Sequence, residues 1–145
     1  MKRDCFSLGL FLLLLFFTIS LSGCWSNLPK DLPKLYPCKV TVLIGGQPVE
    51  GVNVTLSPSD GSKWSAGGKT DATGTVSVNT SGMYPGAAAG EYNVMLYKVD
   101  VKIVNEFTPP QEFPVIKPEY NTAKTTPLTY TMEAKASETT FDLPK

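Results

Sequence analysis

Few side chains in this chain could carry covalent or acid–base chemistry. The sequence contains three cysteines, two tryptophans and no histidine. The absence of histidine excludes a histidine-based triad, a histidine general base and a histidine metal ligand. Four carboxylates could pair in space, although nothing in their spacing favours it: Glu91, Glu106, Glu112 and Glu119. The sequence therefore predicts a protein that is not an enzyme and that needs no cofactor.

Two of the three cysteines flank an apolar segment near the start of the chain: Cys5 precedes it and Cys24 follows it. Lys2 and Arg3 precede an apolar run that extends from residue 6 to residue 21, and small residues follow it. A charged start, an apolar stretch of about 15 residues and a small-residue site are typical of a secretory signal. An uncleaved membrane helix is the alternative, since residues 5–25 approach the about 20 residues that cross a bilayer.

The end of this segment, Leu21-Ser22-Gly23-Cys24, resembles the lipobox of bacterial lipoproteins. The resemblance implies removal of residues 1–23 as a signal peptide. It also implies a diacylglycerol on the Cys24 sulfur and an acyl chain such as palmitate on the new amino group. Several acyl chains make a stable anchor, at about 0.8 kcal/mol per buried CH₂. We therefore expect a protein held at the cell membrane by lipid, with its domain in the periplasm or outside the cell. The residue after Cys24 is Trp25, whereas an Asp at this position is associated with retention in the inner membrane of many Gram-negative bacteria. If the source is Gram-negative, we therefore expect the outer membrane.

The remainder of the chain is close to neutral and long enough for one domain. The whole sequence has 13 basic and 13 acidic side chains, so no strong field favours nucleic acid as a partner. Prolines in residues 24–37 predict an extended tether. Residues 38–145 are expected to form one domain. Cys38 is left without an intramolecular partner and is predicted to be a buried small hydrophobe, with an intermolecular disulfide or a reactive thiol as alternatives.

Short alternating segments separated by turn residues predict an all-β domain. Alternation in residues 40–44 and 52–56 predicts two antiparallel strands, and Glu91–Val99, apolar on both faces, predicts a central strand. Residues 128–133 and 139–143 are predicted to form a terminal hairpin. The Pro-rich insertion 100–127 is not expected to form a regular ladder through most of its length, although its apolar residues indicate that it packs against some other surface. About seven strands, with turn signals every 8–12 residues or so, predict a β-sandwich.

Three motifs in this domain resemble the carboxypeptidase regulatory-like, transthyretin-like (prealbumin-like) domain. They are GQPVEGVNVTL at residues 46–56, TDATG at residues 70–74 and GEYNV at residues 90–94. Residues 118–121, 126–129 and 140–143 are further similar to small lipoproteins of planctomycetes and related bacteria. The resemblance covers about residues 38–143 and implies a Greek-key sandwich, but it implies little about activity. Gly51 and Gly74 fall where tight turns often need a positive φ.

Three hypotheses about binding or cross-linking remain open. Trp64 and Tyr84 lie near Gly-rich loops and could stack on sugars, although a tryptophan between strands is more often part of the core. Asp60 and Asp71 lie in turns, but a calcium ion needs about six to eight oxygens, so turn capping is favoured and no metal is predicted. The third hypothesis is an internal isopeptide bond between Lys39 and Asp142.

Together these features favour a lipid-anchored structural or protein-interaction module of the cell envelope. Its expected partners are the membrane, through the lipid on Cys24, and an envelope protein or polysaccharide. The alternative is a carbohydrate-binding module at the cell surface, with Trp64 and Tyr84 as its ligand contacts.

Overall fold

Strands are the main element of the residues that the computed structural model describes, which are 28–103 and 109–145. The predicted signal peptide 1–23, the lipobox and Cys24 lie outside the described residues. Within those ranges there are fourteen strands and one 3-10 helix, Pro118–Asn121. The strands are β1 (Leu35–Tyr36), β2 (Cys38–Ile44), β3 (Gln47–Pro48), β4 (Asn53–Pro58), β5 (Ala66–Lys69), β6 (Thr75–Ser77), β7 (Asn79–Thr80), β8 (Tyr84–Pro85), β9 (Ala87–Ala88), β10 (Gly90–Tyr97), β11 (Val99–Lys102), β12 (Gln111–Pro114), β13 (Thr129–Met132) and β14 (Ser137–Leu143).

Two larger sheets share the core of the unit formed by residues 32–145. The six-stranded sheet has the order β13-β10-β4-β5-β7-β8. The second, here the β2 sheet, has the order β14-β2-β3, with β6 also paired to β2. Strands β1 and β9 form a small separate ladder, as do β11 and β12. The predicted all-β sandwich class is confirmed, although the strands are shorter and more numerous than the sequence suggested.

Alternate residues of the strands build the core between the two sheets. Val40 and Val42 of the β2 sheet are fully buried, as are Leu56, Val94 and Leu96 of the six-stranded sheet. Burying an aliphatic side chain of this size stabilises the fold by about 1.5–3 kcal/mol relative to leaving it exposed. Strand β10 lies between β13 and β4, which confirms the prediction of a central strand.

The predicted terminal hairpin is wrong. Strand β13 pairs antiparallel with β10 in the six-stranded sheet, whereas β14 pairs parallel with β2. The connection at residues 133–136 therefore crosses from one sheet to the other. Met132 and Leu143 are both buried in the shared core, one from each sheet. Alternation in sequence predicts which face of a strand is buried, but it carries no information about which strand lies beside it.

The two strands predicted at residues 40–44 and 52–56 both form, but they do not pair with each other. Strand β2 is antiparallel to β3 and β6, and β4 is antiparallel to β5 and β10. After β3 turns back onto β2, the chain passes into the other sheet at Val52, which is fully buried.

A short part of the Pro-rich insertion 100–127 forms a ladder, and most of its described residues do not, which agrees with the prediction. Val99–Lys102 pairs antiparallel with Gln111–Pro114. The ladder is compatible with the prolines because Pro109 and Pro110 precede β12 and Pro114 ends it, and each strand is bonded on one side only. The prediction that the apolar residues of the insertion are packed is confirmed for Ile116 and Tyr120, which are 2% and 6% exposed, whereas Val101, Ile103 and Phe113 are exposed.

The folded part also begins before residue 38. Leu35 and Tyr36, within the range 24–37 predicted as a tether, pair with Ala88 and Ala87. Tyr36 packs against the core cluster. The prolines of residues 24–37 are therefore compatible with one short strand before β2.

Candidate functional site

Strands β11 and β12, here called the arm, follow directly from the end of β10. Val115 N donates to Lys98 O at 3.0 Å, which closes the base of the arm. Just beyond the base, Ile116 enters the core. Every residue of the arm except Val99 is exposed, so neither face of the arm is covered by the sandwich.

Both faces of the arm carry apolar side chains. Residues opposite each other on an antiparallel pair share a face, which places Val101 beside Glu112 and Phe113 beside Asp100. Val101 is 56% exposed and Phe113 is 45% exposed. Ile103, which follows β11, is 75% exposed. The Lys102 ammonium lies 5.2 Å from the centre of the Phe113 ring, a cation–π geometry that partly covers that face.

A polar groove lies at the base of the arm, on the outer face of the six-stranded sheet. The register places Tyr97 opposite Asn53 and Asn53 opposite Lys69, so one side chain from each of β10, β4 and β5 forms a row. A cavity of about 640 Å³ covers this row and is also lined by Glu50, Gly51, Thr70, Lys98 and Val99. Asn53 and Lys69 also line a second hollow of about 400 Å³ that continues over Gly67 and Gly68 to Gly82.

The predicted ligand contacts, Trp64 and Tyr84, lie beyond the Ala66 end of β5, whereas the row of the groove crosses β5 at Lys69. Trp64 precedes β5, and Tyr84 begins β8 opposite Thr80. Their two loops meet, since Ser81 N donates to Ser65 O at 2.9 Å. Both aromatic side chains are half-buried, and the Lys63 ammonium lies 4.9 Å from the centre of the Trp64 ring. The structure therefore places the two predicted residues near one end of the sandwich, but neither lines the groove.

Asp60 and Asp71 both cap turns. Asp60 Oδ1 accepts from Ser62 N at 2.8 Å. Asp71 Oδ1 accepts from Thr73 N at 2.8 Å, Thr73 Oγ1 at 2.6 Å and Thr75 N at 3.1 Å. The Thr73 hydroxyl, followed by the backbone amides of Thr75 and Thr73, lowers the pKa of the Asp71 carboxyl. In residues 28–103 and 109–145 no group of three or more cysteines and carboxylates could hold a metal ion.

The turn that Asp71 holds requires a glycine at its end. Gly74 has φ +72°, and a Cβ there would lie 2.7 Å from the carbonyl oxygen of Val42. Gly51 has φ +77°. The positive φ predicted at both glycines is confirmed, and the TDATG motif is explained by turn geometry.

The predicted isopeptide pair is not brought together. Lys39 lies opposite Glu138 on the parallel strand β14, and the Lys39 ammonium forms an ion pair with that carboxylate at 3.3 Å. Asp142 lies opposite Leu43 and accepts from Gly46 N at 3.0 Å. Four residues along parallel strands correspond to about 13 Å, so a direct bond between Lys39 and Asp142 is excluded by the register.

Cys38 is a buried, free thiol at the start of β2, with 3% of its surface exposed. Burial raises the pKa of this thiol, against a smaller opposing effect of the Tyr130 hydroxyl. The Tyr130 hydroxyl also hydrogen-bonds to Ser137. A buried thiol with a raised pKa is a poor nucleophile, which favours the predicted role of a small core residue.

Three of the four carboxylates considered for acid–base chemistry lie on separate elements. Glu91 is near the start of β10, whereas Glu112 is in the arm that follows the end of β10. Glu119 is in the 3-10 helix, and Glu106 lies outside the described residues. Within residues 28–103 and 109–145 no helix is long and apolar enough to span a membrane.

Sequence reasoning did not identify the arm residues Val101 and Phe113, or the groove residues Tyr97 and Lys69, as binding residues. A signal for the arm was present, because several apolar residues interrupt a Pro-rich segment. The groove had no such signal, since its row is created by pairing among three strands that are distant in sequence.

Comparisons with known proteins give little further guidance. No protein-family model and no curated protein matches the chain. Among solved structures, a crystal structure of the major pilin subunit of Bacillus cereus is similar, with a TM-score of 0.47 and 13% sequence identity. The similarity covers 77% of this chain and 30% of the pilin chain, so this chain spans less than a third of the pilin. A similarity at this level carries no argument about function.

Proposed function

We propose that this chain is a lipid-anchored, non-enzymatic module of the bacterial cell envelope, and that it binds another envelope protein through the arm. The observation that carries the proposal is the exposure of Val101 and Phe113 on a pair of strands that the sandwich covers on neither face. An isolated two-stranded hairpin is at best marginally stable in water, whereas a third layer or strand stabilises it. A partner that covers the arm would supply that layer.

The chemistry of the arm indicates the kind of surface that fits it. Val99, Val101 and Pro114 share one face with Glu112, and Phe113 shares the other with Asp100 and Lys102. This mixture of apolar and charged side chains suits a partner with an apolar patch bordered by polar groups. The outer backbone edges of β11 and β12 are unpaired within the described residues, so strand addition is also available.

The anchor proposal is based on the resemblance of Leu21, Ser22, Gly23 and Cys24 to a lipobox. A lipid on Cys24 would confine the protein to the membrane surface and raise the local concentration of partners held there. The arm and the anchor are thus proposed to act together, one binding the partner and the other restricting where binding occurs.

The test is recovery of complexes cross-linked in cells that produce the protein. Val101→Ser together with Phe113→Ser should lower recovery of the partner at least several-fold, because the apolar contact area is lost. Met83→Ser is the matched control, since Met83 is 71% exposed and lies in the turn between β7 and β8. Cys24→Ala should also lose the complex. Equal recovery from the arm variant and the Met83 control would contradict the proposal.

A further inference from the structure

The groove at the base of the arm gathers two ammonium groups that form no ion pair with a carboxylate of residues 28–103 or 109–145. Lys98 Nζ donates to Glu50 O at 2.8 Å, and the Lys69 side chain passes over Gly51, with its Cε 3.7 Å from the position of a Cβ there. Both lysines therefore approach the same turn. Among the described residues, neither ammonium forms an ion pair, unlike those of Lys39 and Lys135.

The rest of the groove supplies an aromatic ring, neutral polar groups and one carboxylate, that of Glu50, so the two ammonium groups outnumber the acidic side chains of the lining. Tyr97 is 42% exposed, and the Asn53 amide lies between it and Lys69 in the row across the sheet. Neighbouring strands are about 4.8 Å apart, so the row extends about 10 Å. Beyond it, the second hollow continues over Gly67, where a Cβ would collide with the carbonyl oxygen of Val54. The groove thus keeps a side-chain-free floor along β5.

We propose that this groove binds a linear acidic polysaccharide. Its uronic carboxylates would pair with the ammonium groups of Lys69 and Lys98, a sugar ring would stack on Tyr97, and hydroxyls would bond to the Asn53 amide. Hydrogen bonds between charged partners are the strongest available at such an exposed site. The elongated shape, formed by two hollows that share Asn53 and Lys69, suits a chain rather than a compact ligand.

The position of the groove favours a saccharide over an acidic peptide. Its floor is the face of the sheet, and β4 is already hydrogen-bonded to β10 on one side and to β5 on the other. An extended peptide bound by strand addition needs a free edge, which this floor does not offer. The lining also includes no large apolar pocket for peptide side chains, and, apart from the Glu50 carboxylate, its amide, ammonium and phenol groups match a polyhydroxylated chain.

This inference is independent of the proposed binding of a protein by the arm, because different side chains carry the two sites. Neither Trp64 nor Tyr84 lines the two hollows, although the second hollow extends to Ser65 and Gly82 near them. Loss of one binding activity with retention of the other would separate the two proposals.

The test is calorimetric titration of the full-length chain, purified in detergent, with fragments of galacturonan, alginate and hyaluronan. At least one acidic oligosaccharide should bind, and neutral cello-oligosaccharides should bind much more weakly. Lys69→Gln and Lys98→Gln should each weaken binding by about tenfold, the effect of one charge-assisted hydrogen bond. Tyr97→Ala should weaken it as well, and binding should fall as salt is raised.

Lys39→Gln is the matched control, because Lys39 is an exposed lysine on β2 of the opposite sheet and its loss should leave binding unchanged. Circular dichroism of each variant checks the fold. The inference is overturned if no acidic oligosaccharide binds, if both lysine variants of the groove bind as the wild type does, or if poly-glutamate binds as tightly as the best oligosaccharide.

Discussion

At the scale of single residues, Asp71 makes the stability of its turn depend on pH. Its hydrogen bonds lower the pKa of the folded carboxyl below the ordinary value of 3.8. The ionised carboxylate therefore stabilises the fold above pH 3.8, and this contribution is lost as the pH falls through the lowered pKa of the folded state.

Asp71→Asn should remove this pH dependence. The difference in the free energy of unfolding between wild type and variant should be largest near neutral pH and should shrink in acid, as measured by urea unfolding at about pH 6 and about pH 3. Thr73→Val, which removes the main donor and keeps the carboxylate, should raise the pKa of Asp71 toward 3.8 in an NMR titration. A constant difference between Asp71→Asn and wild type across this range would contradict the explanation.

The burial of Cys38 gives a second prediction at the same scale. In the native protein, the Cys38 thiol should resist alkylation by iodoacetamide, because it is 3% exposed and its pKa is raised by burial. In guanidinium it should react readily. Mass spectrometry of the peptide that contains residue 38 distinguishes the two states. Rapid labelling of the native protein would instead support the reactive-thiol alternative.

Residue roles that depend on local geometry could be predicted from the sequence. The turn caps at Asp60 and Asp71 and the positive φ at Gly51 and Gly74 follow from side-chain reach and backbone sterics within a few residues. The groove pair of Tyr97 and Lys69 was not accessible, because it depends on the pairing of three strands.

At the scale of elements, Ile116 fixes the arm to the sandwich. It is 2% exposed and lies just beyond the hydrogen bond between Val115 N and Lys98 O. Ile116→Ala should lower the free energy of unfolding by about 2–5 kcal/mol, as expected for a truncation that leaves a cavity in a core.

Ile103→Ala is the matched control for this prediction. The same side chain is removed at a position that is 75% exposed, so the free energy of unfolding should change by less than about 0.5 kcal/mol. Chemical unfolding of the two variants side by side measures the difference. Equal effects would show that the segment after the arm does not pack as described.

The strands also show what alternation in the sequence can and cannot predict. Alternation predicted the buried faces of β2 and β4, because burial on one face imposes a period of two. It could not predict that β13 and β14 lie in different sheets, since crossing between sheets and turning back within one leave the same alternation in sequence. The proline content likewise gave no indication of the ladder of the arm. Pairing is still possible there because the prolines lie at the strand ends.

At the scale of the whole molecule, the core of the fold is separate from the two surfaces that are proposed to bind partners. The core between the two sheets contains the residues that hold the fold, whereas the arm and the groove lie together at one end of the six-stranded sheet. The sequence predicted an all-β sandwich because its strands are short, alternating and separated by turn residues. It could not predict what the molecule binds, since both candidate surfaces are products of topology.

The most direct test of the central claim is photo-crosslinking from single positions of the full-length protein in living cells. With a photoreactive residue at Val101 or Phe113, one defined envelope protein should be captured, and the same residue at Met83 should not capture it. Capture of that protein equally from Met83, or from neither position of the arm, would contradict the proposal that the arm is the binding surface.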